Sequence, residues 1–122
     1  MKNESRKNKS IQMWPDSLDA VAAAPEQHRV IFENERVRVL DTRIKPGERV
    51  PVHAHAWSSV TCFLSVGDFI RYDADGNVEI DSRTIGLNVE PGEVMWLPPL
   101  PPHSAENVGD GEIRGITVEL KD

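Results

Sequence analysis

The chain has 122 residues, 39% of them hydrophobic, and a formal net charge of −6 from 14 Lys and Arg against 20 Asp and Glu. That length suits one domain around one core, and the acidic balance lacks the basic patch that a nucleic-acid partner needs. No run approaches the roughly 20 apolar residues of a membrane span, and a single cysteine, Cys62, excludes an intrachain disulfide.

The opening residues, MKNESRKNKS, are basic but lead into no apolar segment, so residues 1–13 read as a disordered arm and not as a secretory leader. Nothing points to an oxidising compartment, and a cytoplasmic protein is the expectation. Residues 14–29 predict a short helix and a lead-in. Asp16 or Ser17 can accept from free first-turn N–H groups, a run of alanines favours helix, and Pro25 ends it. His28 falls in the lead-in and reads as a solvated loop histidine.

From Val30 the texture changes to short β-branched and aromatic runs separated by turn signals. The runs are 30–32, 36–44, 50–56, 58–66, 69–72, 78–80, 84–89, 94–97 and 113–120. Between them stand stretches such as Lys45-Pro46-Gly47-Glu48, Glu90-Pro91-Gly92-Glu93 and Gly109-Asp110-Gly111-Glu112. Strand-length runs at this spacing predict an all-β sandwich or barrel over 30–122. The two Pro-Gly-Glu turns each enter a strand and then reach a histidine, a short internal echo.

VPVHAHAW places His53 and His55 two apart, on one face of a strand and close enough to share an ion. A His-x-His pair alone says little, but the spacing around this one says more. Gly47, five residues, His53, one residue, His55 and eleven residues to Gly67 make one pattern. Gly92, five residues, Pro98, then His103 and Asn107, in GEVMWLPPLPPHSAEN, make a second. Together they resemble the two motifs of the cupin family, over the chain from about Phe32 to Leu120.

That resemblance implies a single jelly-roll β-barrel with a short N-terminal helix, and a metal inside one mouth. His53 and His55 would come from the first motif and His103 from the second, as three imidazole ligands to one divalent transition ion. Fe, Zn, Ni, Mn and Cu all suit such a set. The first motif normally adds a glutamate ligand, and at the position that spacing counts to stands Val60. The second has Leu100 where glycine is usual, making the 98–102 turn rich in proline. A three-histidine site is still a working arrangement in some cupins; the competing reading is a barrel that binds metal poorly or not at all.

Around the motifs, Trp57, Val60, Cys62, Arg71, Tyr72 and Trp96 are candidate pocket residues. Cys62, two after Val60, would share its strand face and line the cavity one step deeper, though a small buried core residue is the plainer reading. Trp57 and Trp96 are candidates to stack on a ligand, with barrel packing the plainer role for Trp96. Asn107 reads as structural support. VIFENERVRVLDTRIKPGERVPVHAHAW and PPLPPHSAENVGDGEIR are similar to small single-domain bacterial cupins, a group called simply cytoplasmic proteins or linked to β-alanine degradation. The resemblance implies a homodimer and a small oxygenated molecule as ligand or substrate. Dioxygenase-like or isomerase-like chemistry and a non-enzymatic binding module both remain open, and no catalytic residue is assigned.

Overall fold

The computed structural model describes residues 14–121, so the arm expected over 1–13 lies outside the described residues. The all-β expectation holds, as two antiparallel sheets packed face to face. One sheet runs β1 (His28–Glu33), β2 (Val37–Ile44), β9 (Ile113–Leu120), β4 (Ser59–Ser65) and β7 (Val94–Leu97). The other runs β3 (Arg49–His55), β8 (Leu100–Asn107), β5 (Phe69–Asp73) and β6 (Val78–Asp81). No helix among the described residues is long and apolar enough to cross a membrane.

The N-terminal helix is shorter than its alanines suggest. A single 3-10 turn at Asp16–Leu18 precedes α1 (Ala20–Ala23), and the cap is Asp19, whose carboxylate accepts from the Val21 N–H at 3.1 Å. Ala20 and Ala24 are fully buried against the barrel, so packing holds this segment more than helix propensity does.

Two strand assignments change. Residues 84–89, expected as a strand, instead belong partly to α2 (Ser82–Ile85), capped by Asp81 and closed by Gly86 at φ 66. A left-handed residue there ends the helix with no side-chain clash. Conversely, the proline-rich turn expected over 98–102 runs directly into β8. That strand lies between β3 and β5, and the β3 ladder shifts register on both sides of the His53–His103 pair. Pro101 and Pro102 sit within this irregular stretch, where the ladder can spare their missing N–H donors.

The two Pro-Gly-Glu turns prove to be the same device. In each, the glutamate N–H donates back across the turn, Glu48 to Lys45 O at 3.0 Å and Glu93 to Glu90 O at 3.1 Å. Gly47 and Gly92 take φ of 79 and 92, as the third residue of a type II turn requires. Each glycine then donates to a neighbouring strand: Gly47 to Asn107 O at 2.9 Å, Gly92 to Phe63 O at 2.7 Å. Asn107, fully buried, adds donations to Ile44 O and Gly111 O and accepts from the Gly109 N–H, tying the end of β2 and the 108–112 loop to the end of β8.

The larger sheet wears its apolar side outward. On β9 the inward residues are Gly115, Thr117 and Glu119, and on β4 they begin with Ser59 and Thr61. Facing out, Phe32, Val39, Val118, Val60 and Trp96 stand in one row across all five strands. Trp96 is 58% exposed and Val94, beside Cys62 in the next row, is 65% exposed. The enclosed hydrophobic cluster is small: Ala24, Ile44 and Val50, joined by Ala105 and Ile113.

Candidate metal centre

Four histidines converge between the sheets at one mouth of the barrel. β3 supplies His53 and His55, β8 supplies His103 directly opposite His53, and the first residue of β1 supplies His28. Ring centroids lie 5.1 Å apart for His53–His55, 4.5 Å for His53–His103 and 5.7 Å for His55–His103. The structure therefore brings the three sequence-predicted histidines together.

It also adds one. His28 is 4% exposed and not a solvated loop residue; its ring lies 4.7 Å from that of His53 and 5.6 Å from that of His55. One nitrogen each of His28, His53 and His55 falls within 4.8 Å of the other two, an arrangement compatible with a metal ion. His103 extends this cluster from the far side of His53.

The backs of the rings say how they point. His28 Nδ1 lies 3.0 Å from Ala24 O, His53 Nδ1 2.7 Å from Pro51 O, and His103 Nδ1 2.8 Å from Pro101 O. His55 Nδ1 lies 3.4 Å from a carboxylate oxygen of Glu119. Carbonyl and carboxylate oxygens only accept, so each Nδ1 must carry a proton, and in the neutral rings of His28, His53 and His103 Nε2 keeps its lone pair. Back-side oxygens that orient metal-binding imidazoles in this way are the usual supporting shell of such sites.

Burial keeps three of these rings neutral. It pushes the His28 and His103 imidazoles down to about 4 and His53 down to about 2, each against the pull of its own carbonyl partner. Neighbouring rings add to the depression, His55 at His28 and His103 at His53. Neutral imidazole is the form that binds metal.

Behind His55 runs a buried chain of charges. Glu119, fully buried, accepts from Arg38 Nε through one oxygen and faces His55 with the other. Arg38 in turn donates to both carboxylate oxygens of Asp19, at 3.0 and 2.8 Å, and lies 5.0 Å from the Trp57 ring centre. Burial by itself would raise the Glu119 carboxyl, but the hydrogen bonds from His55 and Arg38 outweigh it and hold it low. Sequence reasoning missed Glu119 and Arg38. The available signal was a glutamate among inward positions of a strand, legible only once the inward face of β9 is known.

Below the histidines a cavity of about 220 Å³ reaches into the barrel. Ile44, Val50, Phe63, Phe69, Leu97 and Ile113 line it, with hydroxyls from Thr42, Ser59, Thr61 and Thr117. None of the six expected pocket residues is among its lining. Ser59, Thr61 and Phe63 face in, so strand alternation turns Val60 and Cys62 to the opposite face. Trp96, paired with Val60, is on that outer face too, and does not pack inside the barrel. Arg71 pairs with Glu79 at 3.1 Å, and Tyr72 donates to Glu106 at 2.7 Å beneath the Arg49 guanidinium. Trp57 borders a separate hollow beyond β3, with Trp14, Asp19 and Arg38.

No family profile matches the chain, and no curated protein matches it. Solved structures do. A cupin domain from Bordetella pertussis Tohama I is similar at 24% identity and a TM-score of 0.63, covering 78% of this chain and 92% of that one. An uncharacterised double-stranded β-helix protein from Klebsiella pneumoniae matches at 20% identity and a TM-score of 0.53, over 77% of this chain and 75% of that one. The polyketide cyclase RemF from Streptomyces resistomycificus matches at 22% identity and a TM-score of 0.52, over 78% of this chain and 64% of the cyclase. Two facing antiparallel sheets and these likenesses agree: the protein has the fold of a small cupin domain.

Proposed function

We propose that the protein binds one divalent transition metal through His53, His55 and His103, with His28 as a fourth donor. The observation that carries the reading is the common orientation of the four rings, each with Nδ1 engaged by an oxygen and Nε2 left free. Imidazole sets of this kind suit Zn, Cu, Fe and Ni, and leave open positions on an ion that takes more than four ligands. When bound, the metal would act as a Lewis acid toward a small oxygenated molecule and, if it were Fe(II), would also supply electrons for dioxygen activation. The chain's residues would hold the ligand's body against the mainly apolar lining of the cavity, with its reactive end toward the histidines. Oxygenation and isomerisation are the reaction classes that fit.

A second reading, a binding module without turnover, has its own support. Apart from the histidines, the cavity lining contains no carboxylate, amine or phenol to move a proton. Oxygen uptake by the Fe(II)-loaded protein over a panel of diketones and keto acids separates the two.

Untagged protein is expected to carry, or take up on reconstitution, one metal ion per chain by elemental analysis. His53→Ala and His103→Ala should abolish stoichiometric binding, and His28→Ala should weaken it at least tenfold. Wild-type protein that retains no Mn, Fe, Ni, Cu or Zn after reconstitution ends the proposal.

The chain also pairs with a second copy through the outer face of the larger sheet. The support is the row from Phe32 to Trp96, which crosses the full width of that sheet. A flat apolar face this wide is best covered by another sheet, and a second copy supplies a matching one by twofold symmetry. Light scattering should give twice the chain mass of 13.7 kDa, falling to the monomer in Trp96→Glu. A monomeric wild type at micromolar concentration would refute the pairing.

A further inference from the structure

Within the cavity, what is missing is as informative as what is present. Its lining contains no Lys, Arg, Asp or Glu. The nearest buried charges, Glu119 and Arg38, are already committed to each other, to Asp19 and to the back of His55. The Thr61 and Thr117 hydroxyls bond one another at 3.0 Å, so part of the sparse polar lining is already engaged. The rest of the wall is mainly apolar, including the Ile44, Val50 and Ile113 side chains of the enclosed cluster.

We propose that the ligand is a small molecule with a metal-chelating pair of oxygens at one end and an uncharged, mainly apolar body at the other. The chelating end rests on the metal reading above; the apolar body rests on the cavity alone. An ionised group buried there would meet no counter-charge and would lose its hydration without replacement, a cost of many kcal/mol. Molecules that would carry a charged group into the body of the cavity, away from the metal, are excluded on that ground. The size is bounded as well. A cavity of about 150 Å³ accommodates benzene, so about 220 Å³, which spans the histidine end as well as the apolar wall, has room for a single ring.

Hydroxamates test the two ends separately, because their chelating group is constant while the body varies. Calorimetry on the full-length, Ni(II)-loaded protein should rank benzohydroxamate at least tenfold tighter than acetohydroxamate. 4-Carboxybenzohydroxamate, of the same shape but charged at its far end, should bind at least tenfold more weakly than benzohydroxamate. Leu97→Arg, on the edge strand β7 where a long side chain is tolerated, should reverse that second preference. Equal affinity of the charged and uncharged aromatic probes overturns the proposal and leaves the metal reading intact.

A metal-free arm covers the other failure. Benzyl alcohol should bind the metal-free protein measurably more tightly than benzoate does. That result holds the apolar cavity even if no metal ever loads, and benzoate binding as well as benzyl alcohol overturns it. A metal-loaded protein that binds none of the hydroxamates also overturns the proposal, since it leaves no open position for a chelating end.

Discussion

Glu119→Gln should weaken metal binding by about 10- to 100-fold although the substitution changes one atom, a size of effect typical for groups that support metal ligands from behind. The reason is a shortage of acceptors. Glu119 is fully buried and receives protons from both Arg38 and His55. A glutamine amide has one acceptor oxygen and two N–H donors. If its oxygen stays with Arg38, its N–H group faces His55 Nδ1 and favours the tautomer with the proton on Nε2, the atom that should hold the ion. If the oxygen turns to His55, the Arg38 Nε–H loses its partner inside the barrel.

Either arrangement also costs stability, about 1.5–3 kcal/mol for a charge-assisted hydrogen bond left unmade, readable as a lower urea midpoint. Arg38 keeps its two bonds to Asp19, so the loss should stay below that of a wholly unpaired buried charge. Adding Arg38→Met to Glu119→Gln frees the amide oxygen for His55, and metal affinity should recover while stability does not. A purely structural role for Glu119 predicts the opposite, with affinity and stability moving together in all three variants. Unchanged metal affinity in Glu119→Gln would show that His55 needs no carboxylate behind it.

How far the site was legible before the fold differs from residue to residue, and the differences have physical causes. His53, His55 and His103 announce themselves through spacing, because glycines at fixed distances mark the turns that bring the two strands together. Most of the strands and both Pro-Gly-Glu turns follow from local chemistry that the fold does not override; residues 84–89 and the prolines that open β8 are the exceptions. His28 carries no such mark. It is a single histidine after Pro25-Glu26-Gln27, and only the pairing of β1 with β2, His28 opposite Thr42, brings it into the barrel. Val60 fails for a different reason. Alternation along β4 is plain, but alternation does not say which face is inside, and here the small polar residues Ser59 and Thr61 face the cavity. The usual rule that apolar faces point to the core is inverted over this part of the sheet, where Ser59, Thr61 and Thr117 line the cavity and Val60, Val118 and Trp96 face out. Glu119 is hidden by the same inversion, since Ile116 and Val118 look like the core face of β9 and are its outer one. The fourth donor expected at the first motif is therefore sought in the wrong place by counting. On the proposed reading an imidazole from β1 fills that position, and the negative charge stands one residue further back, behind His55.

Acid should destabilise the metal-free protein in two overlapping steps, and the sign follows from the direction of each shift. His28 and His103 are held near 4 and His53 near 2 by burial, below the ordinary value of about 6.5 that the unfolded chain regains. Between those values the unfolded chain binds protons that the folded one refuses, so stability is complete above about 6.5 and falls as the pH drops toward 4. Each unit of depression is worth about 1.4 kcal/mol, and three rings together make this a loss of several kcal/mol. Asp41 acts later. Hydrogen bonds from Arg114, then Arg43, outweigh burial and hold its carboxyl near 2, so its contribution is present above about 3.8 and is lost only between there and 2. Urea midpoints measured from pH 7.5 to 3 should therefore already decline between 6.5 and 4. His28→Gln should flatten that decline by about one proton without touching the region below 4. Bound metal should move the whole first step downward, because the ion competes with protons that the rings already resist. A stability curve flat from 7 to 4 in the metal-free protein would mean that the rings charge as readily inside the barrel as in water, and the burial that keeps them neutral would have to be given up with it.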